Sequence, residues 1–234
     1  MDGAEIYGVD FSGARDAGER IWIAEAVIEA KALIVQNCFR AESLPGGGKE
    51  PEKCLPALRK FMTDRPGALF GLDFPFGMPR ELVQERSWED FIHAFPKRYR
   101  APGHFRDTCL RRSSNRELKR LTDIQNQAPF SPYNLRIYRQ TYYGIREILY
   151  PLVRDNLASI IPMQSEEEGQ PRVMEICPAA TLKREGLYGR YKGISGGRRQ
   201  RSCQVENTID PGVKAAPQDQ GKEGQSPYPG RPKW

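Results

Sequence analysis

Histidine is almost missing from this 234-residue chain: His93 and His104 are its only two, set in a Pro- and Arg-rich stretch. No H-E-x-x-H spacing exists, which excludes a zincin-type site. The five cysteines, Cys38, Cys54, Cys109, Cys177 and Cys203, are odd in number and form no C-x-x-C pair. Neither a disulfide framework nor a zinc ribbon is indicated, and reduced thiols of a cytoplasmic protein are expected. No apolar run is long enough to span a bilayer, so no membrane association is expected. The start, "MDGAEIYGVDF", has neither a basic nor an apolar leader segment, so no secretory signal is expected. Ser12 lacks the G-x-S-x-G frame of a nucleophile elbow. In "LPGGGKE" a phosphate-loop pattern fails twice, with Ser43 where Gly is required and Glu50 where Ser or Thr is required.

What the chain does hold is a run of short β-type segments interrupted by helices. Residues 4–11, 20–29 and 32–41 are rich in β-branched or aromatic residues and read as an antiparallel meander. "SLPGGGKEPE" is a loop, and residues 51–63 form a helix with Leu55, Leu58, Phe61 and Met62 on one face. "ALFGLDFPF" is a central strand, apolar on both sides, expected beside the first. The order of elements predicts an α/β layer architecture.

Further on, residues 79–95 carry a helical pattern. Leu135, Tyr138, Tyr142, Ile145 and Leu149 then recur at helical spacing, with Pro151 expected to kink or end that helix. "ASIIPM" and "PRVMEICP" read as strands, and Pro178 is placed to open a last helix. From residue 194 the composition turns to Gly, Pro, Gln and charge without a period, which predicts a disordered or aberrant tail over 194–234.

Charge is concentrated in one place. Residues 97–120 contain nine Lys or Arg against two acids, a larger excess than the +6 of the whole chain. Clustered positive charge is the footprint of a polyanion partner, and Lys97, Arg98, Arg100, Arg106, Arg111 and Arg112 are the candidate contacts. The same charge also fits a solvated insertion with no partner. His93 and His104 read first as surface or structural residues, with a phosphate contact by His104, near Arg106, as the lesser alternative.

Three acids, Asp10, Asp73 and Glu175, each interrupt an apolar strand-like run near its end. A carboxylate there is costly unless it is hydrogen-bonded, paired or bound to a metal. With neighbouring strands about 4.7–4.9 Å apart, carboxylates on adjacent parallel strands can share a cation. Hard oxygen ligands suit Mg²⁺ or Mn²⁺, and paired ions of this kind cleave phosphodiesters in many nucleases. Any one of these acids alone also fits a loop cap, and Glu175 alone fits a pair with a nearby Arg.

"YGVDFSGA" with "IWIAEA", "GLDFPFGMP", "PFSPYNLRIYRQTYYGIR" and "VMEICPAATLKREGLYGRYKG" together resemble the family called domain of unknown function 429, whose members are regarded as predicted nucleases. The resemblance spans roughly residues 4–193. It implies a ribonuclease H-like mixed sheet flanked by helices over residues 1–193, with a helical, partly basic insertion over about 79–157. By the same resemblance Asp10, Asp73 and Glu175 match the family's acidic positions, Mg²⁺ or Mn²⁺ is the cofactor, and Arg139 and Gln140 join the nucleic-acid contacts.

Ribonuclease H-like nucleases usually draw a last carboxylate from a C-terminal helix. Here only Asp210 in "TIDPG" and Asp219 in "PQDQG" stand in that region, both in turn-like settings, which suggests a C-terminus altered by frameshift or truncation. A metal-dependent nuclease is therefore the leading expectation. Its alternative is a catalytically inactive nucleic-acid-binding relative lacking the C-terminal carboxylate. An actin-like ATPase or sugar kinase would need two such cores and an Asp-x-Gly phosphate loop, where this chain has Asp10-Phe-Ser-Gly.

Overall fold

Alternating apolar residues bring the segments 5–10, 22–29 and 32–40 into an antiparallel meander, as their pattern predicts. A computed structural model describes residues 4–30 and 32–186. Strands β1 (Glu5–Asp10), β2 (Trp22–Glu29) and β3 (Ala32–Arg40) pair in sequence, with the short helix α1 (Ala17–Arg20) before β2. A bulge between Glu25 and Ala26 shifts the β2–β3 register. Helix α2 (Pro51–Thr63) then crosses over and returns the chain as β4 (Leu69–Leu72), parallel to β1. Strands β5 (Ser159–Ile161) and β6 (Arg172–Glu175) complete a mixed six-stranded sheet in the order β3-β2-β1-β4-β6-β5.

Period-two alternation divides the sheet into two faces. Tyr7, Val9, Ile23, Phe70, Leu72 and Val173 share one face, and all are buried. Leu55, Leu58, Phe61 and Met62 of α2 are buried too, and Phe61 packs edge-on against the rings of Tyr7 and Phe70. Burying these side chains contributes on the order of 2 kcal/mol each, which fixes α2 on the sheet.

Between β4 and β5 the chain is helical: α3 (Trp88–Arg98), α4 (Pro102–Arg112), α5 (Leu121–Gln125), α6 (Tyr138–Tyr143) and α7 (Tyr150–Arg154). A last helix, α8 (Pro178–Arg184), follows β6 and opens on Pro178, as its sequence predicts. The helical pattern of residues 79–95 is only partly realised. Residues Arg80–Leu82 make a single 3-10 turn, and α3 begins at Trp88 because the Ser87 hydroxyl caps it, accepting the Asp90 N–H at 3.0 Å. Leu135 is not helical but 66% exposed, since the Asn134 side chain accepts the Arg136 N–H and holds a turn there.

Pro151 does not end its helix. Residues Gly144–Leu149 form a wider π-helical turn, and α7 continues through Pro151 to Arg154. An ordinary residue at 151 would donate to the Glu147 carbonyl one turn back; here the Arg59 guanidinium donates to it instead. Among the described residues no helix is long and apolar enough to cross a membrane. The tail expected over 194–234, with Asp210 and Asp219, lies outside the described residues.

Candidate functional site

Parallel pairing puts the two aspartates side by side. Val9 of β1 pairs with Leu72 of β4, and the Asp73 N–H extends that ladder by donating to the Val9 carbonyl at 3.0 Å. Asp10 and Asp73 therefore leave neighbouring strands at one level. From here the chain departs in opposite directions: β1 leads to its antiparallel neighbour β2, whereas β4 leads into the helical layer and the β6 side. In open α/β sheets ligands bind at the carboxyl ends of adjacent parallel strands whose connections leave on opposite sides; here the residues after the two aspartates stay in contact, with the Phe11 and Phe74 rings 4.7 Å apart.

The loops at this edge are held by close approaches to the helical layer. A Cβ on Gly13, three residues after Asp10, would lie 2.3 Å from the Arg139 carbonyl carbon and 2.4 Å from the Gln140 nitrogen. Only glycine lets the loop after β1 rest on the start of α6. Gln140 in turn donates from its side-chain amide to the Asp73 carbonyl at 3.1 Å. Gly144 meets the other loop, since a Cβ there would lie 2.4 Å from the Phe74 ring. Arg139 and Gln140 thus belong beside the aspartates, with Gln140 fixing a loop and Arg139 exposed and in contact with Tyr138.

Glu175 reaches the same sheet edge in a different phase. It pairs with Leu72, one residue before Asp73, so by alternation it belongs to the face of Val9 and Leu72. Its two oxygens accept a bidentate pair from Arg120, at 2.6 and 2.7 Å, and Oε2 also accepts the Phe76 N–H at 2.8 Å. Arg120 is shared with Asp123, whose Oδ1 accepts from Nη2 at 2.6 Å. Burial alone pushes the Arg120 guanidinium down, but its hydrogen bonds to Glu175 and Asp123 outweigh that and raise its pKa. The cluster is one cation locked between two carboxylates, with side chains 14%, 25% and 6% exposed.

Among the described residues no three His, Cys, Asp or Glu side chains group closely enough to hold a metal ion together. Mg²⁺ keeps several waters and is commonly held by only one or two carboxylates plus substrate phosphate, so Asp10 and Asp73 are a donor set whose chemistry suits it. Glu175, as placed, spends its oxygens on Arg120 and Phe76.

Of the candidate nucleic-acid contacts, Lys97, Arg100, Arg111 and Arg112 are exposed on α3, α4 and the turn between them. Arg98 is turned away from solvent into a two-armed ion pair with Glu85, one arm at 3.0 Å. Burial alone would push Glu85 up, but the hydrogen bonds from Arg98 bring its carboxyl below the ordinary range. Arg106 is half-buried, and its Nε lies buried without a hydrogen-bond partner. Both histidines are exposed, His104 receiving the Arg100 N–H on Nδ1 at 3.4 Å and His93 packing against the Tyr150 ring.

Asp123 went unseen in the sequence, and Arg120 was read only as one charge of the basic segment; the pairing of Glu175 with a nearby Arg, one of the readings of that acid, is what the structure shows. The spacing of three between Arg120 and Asp123 along a helix start was the available signal, since the Asp123 carboxylate also caps α5 by accepting the Arg120 N–H at 2.9 Å. Set against family models, curated proteins and solved structures, the chain matches none.

Proposed function

We propose that this chain is a Mg²⁺- or Mn²⁺-dependent phosphodiesterase acting on nucleic acid, built on a ribonuclease H-like fold. The observation that carries the reading is the placement of Asp10 and Asp73 at one level at the carboxyl ends of adjacent parallel strands. The strand order, with an antiparallel meander on one side of β1 and parallel strands on the other, agrees with that fold. Asp10 and Asp73 hold the cation. When bound, the cation acidifies a water and neutralises charge on the phosphodiester. The exposed Lys97, Arg100, Arg111, Arg112 and Arg139 supply the positive surface that draws a polyanion toward the edge.

Calorimetric titration of Mn²⁺ into the full chain tests this directly, beside Asp10→Asn and Asp73→Asn. Binding by the parent and its loss in both variants is the expected result. A parent that takes up no Mn²⁺, or variants that bind it equally well, would remove the reading.

A second reading has one observation in its favour, the lack of a third acidic side chain grouped with the aspartates among the described residues. It makes the chain a nucleic-acid-binding protein without catalysis. Salt-sensitive binding of DNA, RNA or hybrid duplexes without Mn²⁺-dependent cleavage would select it.

A further inference from the structure

Glu175 has the sequence signature of a ligand and the surroundings of a brace. Both of its oxygens carry hydrogen bonds, three in all, from the Arg120 guanidinium and the Phe76 backbone. A cation placed on this carboxylate would have to displace a guanidinium that is only 14% exposed and also bound to Asp123. Stripping a buried guanidinium of a bidentate partner leaves an uncompensated charge in the interior, a strongly destabilising change. The strand phase points the same way, because the residue level with Asp73 is Ile176, the first after β6.

What Glu175 does hold is the loop that follows Asp73. Phe76 stands three residues beyond Asp73, and its N–H is fixed by Glu175 while its carbonyl receives the Trp88 indole N–H at 2.7 Å. Through Arg120 the same carboxylate grips the end of the basic segment, where α5 begins. One side chain therefore joins three parts: strand β6, the loop carrying Asp73, and the basic helical layer.

We propose that Glu175 is a positioning residue that sets the Asp73 loop against the basic layer through Phe76 and Arg120, and is not a cation ligand. This rests on the reading of Asp10 and Asp73 as the cation site. It assigns the Arg120–Glu175 pair to aligning the cation edge with the surface that receives the polyanion.

Conservative rescue separates the two roles. Glu175→Gln keeps one oxygen that can accept both the Phe76 N–H and one arm of Arg120, whereas Glu175→Ala abandons both. For a positioning residue, Mn²⁺ titrated into the full-length folded variants binds Glu175→Gln within about tenfold of the parent. The Ala variant loses a further 10–100-fold, the usual effect of removing a residue that orients a metal ligand. For a ligand, Gln is as damaging as Ala, and both match Asp10→Asn; that result overturns the proposal. Equal affinity in the parent and both Glu175 variants also overturns it, because nothing would then pass through Glu175. Should the Ala variant not fold, comparing Gln with Asp10→Asn still decides. A parent that binds no Mn²⁺ removes the underlying reading instead, which is a distinct outcome.

Discussion

Gly13 and Arg139 touch backbone to backbone, with room for no side chain between them. The loop after β1 and the start of α6 meet there, which is how Gln140 comes to bond the Asp73 carbonyl.

Gly13→Ala is therefore expected to destabilise the chain by about 2 kcal/mol, since the clash is with backbone that cannot swing aside. For a domain of this size that lowers the melting temperature by roughly 4–8 °C. Mn²⁺ affinity should fall with it. An unchanged melting curve would mean that the two segments do not meet as described.

Exposed basic residues should be read out by salt. Replacing Lys97, Arg100, Arg111 and Arg112 by Ala is expected to weaken polynucleotide binding without altering the melting temperature. The slope of log affinity against log salt should fall by about 0.7–0.9 for each phosphate that the variant no longer neutralises. Arg98→Ala should differ, with melting affected most, because Arg98 is paired to Glu85. An unchanged slope in the four-residue variant would place the polyanion on another surface.

The Glu85–Arg98 pair also makes an acid-stability prediction. Glu85 titrates lower in the folded chain than in the unfolded one. Its contribution is therefore fully present above the unfolded value, about 4.3, and disappears as pH falls through the lower folded value. Denaturant melts should show Glu85→Gln less stable than the parent near pH 6, with the gap closing below about pH 4. A gap that persists at low pH would show that the effect is not electrostatic.

Thiol chemistry tests the core. Cys54 and Cys109 are buried, and burial pushes their thiols up to about 11 and about 12. At about pH 8 in the folded state neither should react with an aromatic disulfide reagent, while half-buried Cys177 should. Mapping by mass spectrometry gives the answer, and rapid labelling at Cys54 would contradict the packing of α2.

Much of the sheet was legible because its signals are local. Residues 51–63 were expected to form a helix and do so as Pro51–Thr63, and the strand expected in "ALFGLDFPF" does lie beside β1, though only Leu69–Leu72 of it is strand. The parallel neighbourhood of Asp10 and Asp73 followed from that. What the sequence concealed depends on contacts between distant segments. Whether Glu175 falls in phase with the aspartates turns on a one-residue register, and its partner Arg120 is supplied by a loop far away in the chain. Leu135 carried the right spacing for a helix, yet one side-chain hydrogen bond from its neighbour's backbone keeps that residue out.

The pairing of Phe70 with Val173 has a consequence in time. β6 cannot join the sheet until the whole helical layer has been synthesised, and pairings so distant in sequence form late because the intervening chain must first be brought to order. Asp10 is made almost at once, but the edge it shares with Glu175 is assembled only when the ribosome has finished nearly all of the described chain. A truncated product ending before β6 would carry both aspartates without the side chain that braces their loop.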